Sequence, residues 1–109
     1  MQIKNLTPHE IVLFVGEEKI TIAPEGIIPR CSVEQQQITE ITIDGKKIPI
    51  MKTSFGQVEN LPEEKEGVFL IVSRAVAEAC PDRNDLLIPN DAVRDENGRI
   101  IGCRSLARI

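Results

Sequence analysis

The sequence predicts a mostly β, α+β fold: a small antiparallel sheet or partly closed barrel with one short helix, in an oligomer. Three observations carry this. Apolar runs are of strand length and are separated by Gly, Pro and Asn-Gly turns. Only one stretch reads as a helix. The chain has three Phe and neither Trp nor Tyr, so its core is modest and its sheet edges need covering by a second copy. At 109 residues, one domain over 1–109 is expected.

The elements follow in order. Asn5 to Glu10 reads as a turn leading into a strand, with Thr7 or His9 bonding backbone and Pro8 fixing φ. Glu10–Val15 is rich in strand formers. Gly16-Glu17-Glu18 turns the chain, and Lys19–Ala23 returns with Ile20 and Ile22 on one face, completing a hairpin. Ile27–Val33 is a further strand, and Pro29 within it implies an edge or a bulge. Ile38–Ile43 and Lys46–Met51 flank Asp44-Gly45, a tight-turn signal. The stretch Thr53-Ser54-Phe55-Gly56, like the acidic segment Asn60–Gly67 after it, reads as loop.

Val68–Val72 is uninterrupted apolar sequence and reads as the central buried strand. Ser73 caps a helix over Arg74–Cys80, which Pro81 stops. Pro81–Asp85 is a polar connection, and Leu86-Leu87-Ile88 is a short strand closed by Pro89. The last element is a hairpin: Ala92–Asp95, the turn Glu96-Asn97-Gly98, and Arg99–Leu106. Asn and Gly suit that turn because both tolerate positive φ.

Several function classes are excluded or weakened. A net charge of −4 opposes binding to polymeric nucleic acid through a basic surface. The start lacks a signal-peptide pattern, and a five-residue apolar run is far short of the ~20 needed to cross a bilayer. A soluble, cytoplasmic protein with no membrane partner is expected. Cys31, Cys80 and Cys103 are odd in number and widely spaced, which suits buried reduced thiols rather than a disulfide framework or zinc site. His9 is the single histidine and no local signature pairs it with a nucleophile, so no catalytic residue, metal or cofactor is expected. Oxygen ligands for a metal in Asp82–Asp85 match no calcium-loop spacing.

Phosphate binding has better support. Residues 94–109 hold Arg94, Arg99, Arg104 and Arg108 against Asp95 and Glu96, a local balance of +2 on an acidic chain. Guanidinium groups bind phosphate oxygens bidentately and stack on bases. Gly102, on one strand face with Arg104, would let a ligand or a second chain approach closely. Arg74 sits in the first helical turn, where unpaired N–H groups attract anions. The bland alternative is a set of surface arginines paired with nearby carboxylates. Phe55 either stacks on a base from its loop or plugs the core from a turn. The candidate ligand-binding set is therefore Phe55, Arg74, Arg94, Arg99 and Arg104.

Four strings together resemble a family of small phage and prophage proteins over nearly the whole chain. They are Asn5-Leu6-Thr7-Pro8-His9, Thr53-Ser54-Phe55-Gly56, Ile71-Val72-Ser73, and Val93-Arg94-Asp95 with Gly98–Arg104. In size and in its Arg-rich end the chain also resembles phage sponges that counter Thoeris and related cyclic-nucleotide immunity. That resemblance implies a homo-oligomer that binds a cyclic ADP-ribose isomer or cyclic oligonucleotide between subunits without cleaving it. In such proteins arginines hold phosphates, and aromatic or amide side chains hold the base. None of their binding motifs aligns onto these positions, so the five candidates rest on their own chemistry. Two other functions stay open: a protein-binding or virion accessory module acting through sheet edges, and a phosphodiester-cleaving enzyme.

Overall fold

A computed structural model describes all of residues 1–109. Strands take 59% of the residues and helix 6%, which makes the fold mostly β. The strands are β1 (Gln2–Asn5), β2 (Ile11–Val15), β3 (Glu18–Ile22), β4 (Arg30–Ile43), β5 (Lys46–Glu59), β6 (Val68–Ile71), β7 (Leu86–Arg94) and β8 (Ile100–Ala107). The helix α1 spans Arg74–Ala79 between β6 and β7.

Six strands form a sheet in the order β1-β6-β7-β8-β2-β3, curled into a half-barrel. Antiparallel pairing dominates by length, but this sheet is mixed. β1–β6, β6–β7 and β8–β2 run parallel. A parallel pair needs a crossover, and the acidic 60–67 segment and α1 lie in those connections. The remaining two strands, β4 and β5, form a separate antiparallel ribbon.

Local chemistry accounts for the turns. Asp44 and Gly45 both have positive φ (51° and 75°), as a two-residue hairpin turn with right-handed strand twist requires. At the β7–β8 turn, Asp95 Oδ1 accepts from the backbone N–H of Asn97 and Arg99, and Gly98 takes φ 80°. Ser73 caps α1 by accepting from the Val76 N–H at 3.4 Å, and the helix ends one residue before Cys80.

Asn5 sets the curl. It is wholly buried at the end of β1. Its Nδ2 donates to the carbonyls of His9 (2.7 Å) and Ile22 (3.0 Å). Its Oδ1 accepts from the Thr7 N–H at 2.9 Å and lies 2.6 Å from the Thr7 hydroxyl. Both donors and both lone pairs of the amide are thus used. The Asn5 carbonyl also accepts from the Glu25 N–H. One edge strand is thereby tied to the chain leaving the other, β3.

The core is small and local. Leu6, just after β1, joins Leu70, Val72, Val76, Ala77, Leu86 and Ile88 from β6, α1, β7 and their flanks to form it. Cys31 and Val58, at the base of the ribbon, pack against it together with Cys80 and Ala107. Cys103 is buried, whereas Cys31 and Cys80 are only half-buried, which corrects the expectation of three buried thiols.

Four other expectations change. β1 has no counterpart among the expected elements, because four residues ending in Asn5 carry little strand signal until β6 offers a parallel partner. Ile27–Val33 and Ile38–Ile43 are not two strands: β4 runs unbroken from Arg30 to Ile43, the polar Gln35–Gln37 included. Thr53–Gly56 is strand rather than loop, because each of Thr53, Ser54 and Phe55 has a partner across β4. Pro89 does not end β7, which continues to Arg94 along β8.

Candidate binding groove

A groove of about 420 Å³ opens where β2, β7 and β8 meet. Its walls are Glu10–Val12, Pro89–Ala92 and Ile100–Cys103. The reason lies in the pairing. β2 and β8 share a single register pair, Leu13 with Cys103. On the N-terminal side of that pair, Ile100 and Ile101 of β8 remain exposed.

The join itself is tight. A Cβ on Gly102 would sit 2.5 Å from the Phe14 ring and 2.7 Å from the Val12 carbonyl oxygen. The close approach that Gly102 permits is therefore made by the neighbouring strand of the same chain. This replaces the expectation that a ligand or second chain uses it. The Cys103 thiol lies against the same Val12 carbonyl at 3.8 Å.

Chemically the groove has apolar walls with acceptors among them. Ile11, Val12, Pro89, Ala92, Ile100 and Ile101 offer a surface for a flat ring. Asn90, Asp91 and Glu10 can accept from amino or hydroxyl groups. Asp91 stands out: it has φ 58° inside a strand. Asp tolerates that region better than most residues, yet it remains sparsely populated, and such positions cluster at ligand sites. Its carboxylate faces Arg104, opposite it on β8, with 3.5 Å between Oδ1 and Nη1. Both side chains are more than half exposed and the contact is long. An arriving anion could draw this guanidinium away at little expense.

The five candidate residues fall into two groups. Arg94, Arg99 and Arg104 belong to the β7–β8 hairpin. Phe55 and Arg74 belong to β5 and α1, two elements that pack against each other. None of the five lines the groove. Phe55 is half-buried in β5 opposite Val33, so it neither stacks from a loop nor plugs the core from a turn. Arg74 is held by Glu78, one turn along the helix, at 2.9 Å. Arg94 donates to the Gly98 carbonyl at 2.7 Å and closes the hairpin turn. Arg99 lies beside the groove wall that begins at Ile100, and Arg104 is tied to the wall residue Asp91.

Sequence reasoning missed Asn90 and Asp91, because Pro89 looked like the end of a strand. The available signal was the Asn-Asp pair itself, the residue types that accept positive φ inside an extended segment. His9 is exposed, and its backbone carbonyl, within 2.9 Å of the Thr7 hydroxyl, serves the Asn5 clasp.

One tightly bonded ion pair lies away from the groove. Arg83 grips the buried Asp85 bidentately, both contacts at 2.8 Å, and also donates to the Pro62 carbonyl at 2.9 Å. The hydrogen bonds from Arg83 hold the Asp85 carboxyl below its ordinary range, overcoming the opposing effect of burial. The pair fastens the 60–67 loop to the start of β7. The polar connection at 81–85 is thus a structural clamp.

No protein-family model, curated protein or solved structure matches this chain. No helix is long and apolar enough to cross a membrane.

Proposed function

We propose that this chain binds and sequesters a phosphate-bearing cyclic nucleotide, a cyclic ADP-ribose isomer or cyclic oligonucleotide, without cleaving it. It would act in the cytoplasm of an infected or lysogenic bacterial host. The observation that carries the reading is the groove with Arg104 at its lip. Its volume of about 420 Å³ lies within the usual ~300–1,000 Å³ range of small-molecule sites. The isoleucine walls suit a base, Asn90 and Asp91 suit amino and ribose hydroxyl groups, and Arg104 with Arg99 suits phosphate. Phe55 and Arg74 remain candidates only for a second contact on the α1 side.

Titration calorimetry against cyclic ADP-ribose isomers and cyclic di- and trinucleotides tests this. Saturable binding with the ligand recovered intact is expected. A hydrogen bond to a charged group contributes ~1.5–3 kcal/mol, so Arg104→Ala should weaken binding roughly ten- to one-hundred-fold. Absence of binding across the panel overturns the reading, and recovery of cleaved ligand favours the phosphodiesterase alternative. A second reading, a protein-binding or virion accessory module, is favoured by one specific feature, the long ribbon of β4 and β5.

A further inference from the structure

We infer that the β4–β5 ribbon is a dimerisation arm, and that its isoleucine face is covered by the same face of a second copy of this chain. This does not rest on the nucleotide reading.

The ribbon is two strands of 14 residues each, and not one of them is buried. At ~3.3 Å per residue each strand is about 46 Å long. Contact with the rest of the fold comes mainly through α1 and through Cys31 and Val58 at the base. A lone two-stranded hairpin is marginal in water.

The outer half of the ribbon has two unlike faces. Ile41 pairs with Ile48, Thr39 with Ile50, and Ile43 with Lys46. Cross-strand partners share a face, and so do residues two apart. Ile41, Ile43, Ile48 and Ile50 therefore lie together on one side, with Thr39 and, next to the turn, Lys46 at its ends. The other side carries Glu40, Thr42, Lys47 and Pro49, with Lys47 and Glu40 paired at 3.8 Å. An amphipathic ribbon of this kind is built to lie against something. Yet Ile41, Ile43 and Ile48 are 45%, 49% and 38% exposed.

Area and charge identify the occupant. The chain exposes 7962 Å², about 1,900 Å² more than the ~6,000 Å² of a compact monomer of 12.1 kDa. The radius of gyration is 17.6 Å against roughly 13 Å for a compact chain of this length. A standard interface takes ~800 Å² per partner, and obligate dimers take more. The excess thus matches what an obligate partner would cover, and a second copy is the partner always present when this chain folds. The arm is also neutral. Arg30, Lys46, Lys47 and Lys52 balance Glu34, Glu40, Asp44 and Glu59, while the whole chain carries −4. A two-fold interface brings a patch onto itself, and the isoleucine face of the outer half carries one charge, Lys46 next to the Asp44-Gly45 turn, so it meets its copy with little like-charge repulsion.

Light scattering at micromolar concentration, with the Ile41→Glu/Ile48→Glu variant alongside, is the test. The wild-type chain should have at least twice the mass of 12.1 kDa, and the variant should fall to 12.1 kDa while keeping its β circular dichroism spectrum. A wild-type monomer overturns the inference, and so does an oligomer indifferent to both substitutions. Should the variant fail to fold, hydrogen exchange on the wild-type chain decides. Protected amides across 38–50 that lose protection on dilution support the arm contact, and fast exchange there at micromolar concentration overturns it.

Discussion

The half-barrel and the ribbon are made of the same residue types but hold together by different means. The segment 68–88 supplies six of the seven core residues, because β6, α1 and β7 fold back on one another within about twenty positions. The ribbon is built of the two longest strands in the molecule and contributes none of their residues to that core. Cross-strand pairing forms it, and only its base, through Cys31 and Val58, packs against the core. Regular secondary structure and a packed core are therefore separable in this chain, and mutational cost should follow the core rather than the strands.

The sharpest way to break that comparison is a matched pair of truncations. Leu70→Ala, in a residue only 2% exposed, should destabilise by about 2–5 kcal/mol in urea unfolding, since it leaves a cavity. Ile41→Ala should cost under ~0.5 kcal/mol at dilutions where the chain is monomeric. Equal costs would mean that the ribbon has a cover within its own chain.

A smaller effect is expected at the Arg83–Asp85 clamp. Arg83→Ala leaves a buried carboxylate without its partner. Because Arg83 is itself partly exposed, the loss should be about 2–3 kcal/mol, at or below the ~3–5 kcal/mol of a fully buried pair. The pH dependence has a definite sign. The Asp85 carboxyl is held low in the folded state. Its contribution is fully present above the unfolded value near ~3.9 and is lost as pH falls through the folded value. Acid unfolding of Arg83→Ala should therefore be flatter below about pH 4 than that of the wild-type chain. An unchanged acid limb would show that the clamp does not govern acid stability.

The smallest contrast is between two glycines. At Gly102 a methyl group would meet the Val12 backbone oxygen, which has nowhere to go, so Gly102→Ala should cost about 1–3 kcal/mol. At Gly56, near the arm base, it would meet mainly the Ser32 hydroxyl, which can rotate, so Gly56→Ala should cost less than about 1 kcal/mol. Thermal denaturation of both variants reads the difference, and the reverse order would refute this account of the β2–β8 join.

Elements whose signals are local are legible in the residues themselves. Ser73 and Pro81 bracket α1, Asp44-Gly45 and Asn97-Gly98 mark their turns, and Gly16 separates β2 from β3. Each depends on φ preferences or a cap within four residues. The mostly β class follows from the same punctuation. Of the candidate site, the arginines are visible as a charge cluster on an acidic chain. Their grouping is not, since Arg74 and Phe55 stand on other elements than the hairpin.

What only the tertiary structure decided was pairing between distant segments. β1 exists because β6 lies beside it, β7 runs on through Pro89 because β8 partners it, and Phe55 is in a strand because Val33 faces it. The groove arises because β2 meets β8 at one residue pair across some ninety positions of sequence. Strand propensity spans only ~1 kcal/mol and itself mostly reports packing against neighbours, so several cross-strand partners at ~0.2–1 kcal/mol each outweigh a weak local signal. The sequence by itself determined the turns, the helix and the mostly β class, because those interactions span a few residues; the sheet order, the groove and the bare isoleucine face depend on contacts that no short window contains.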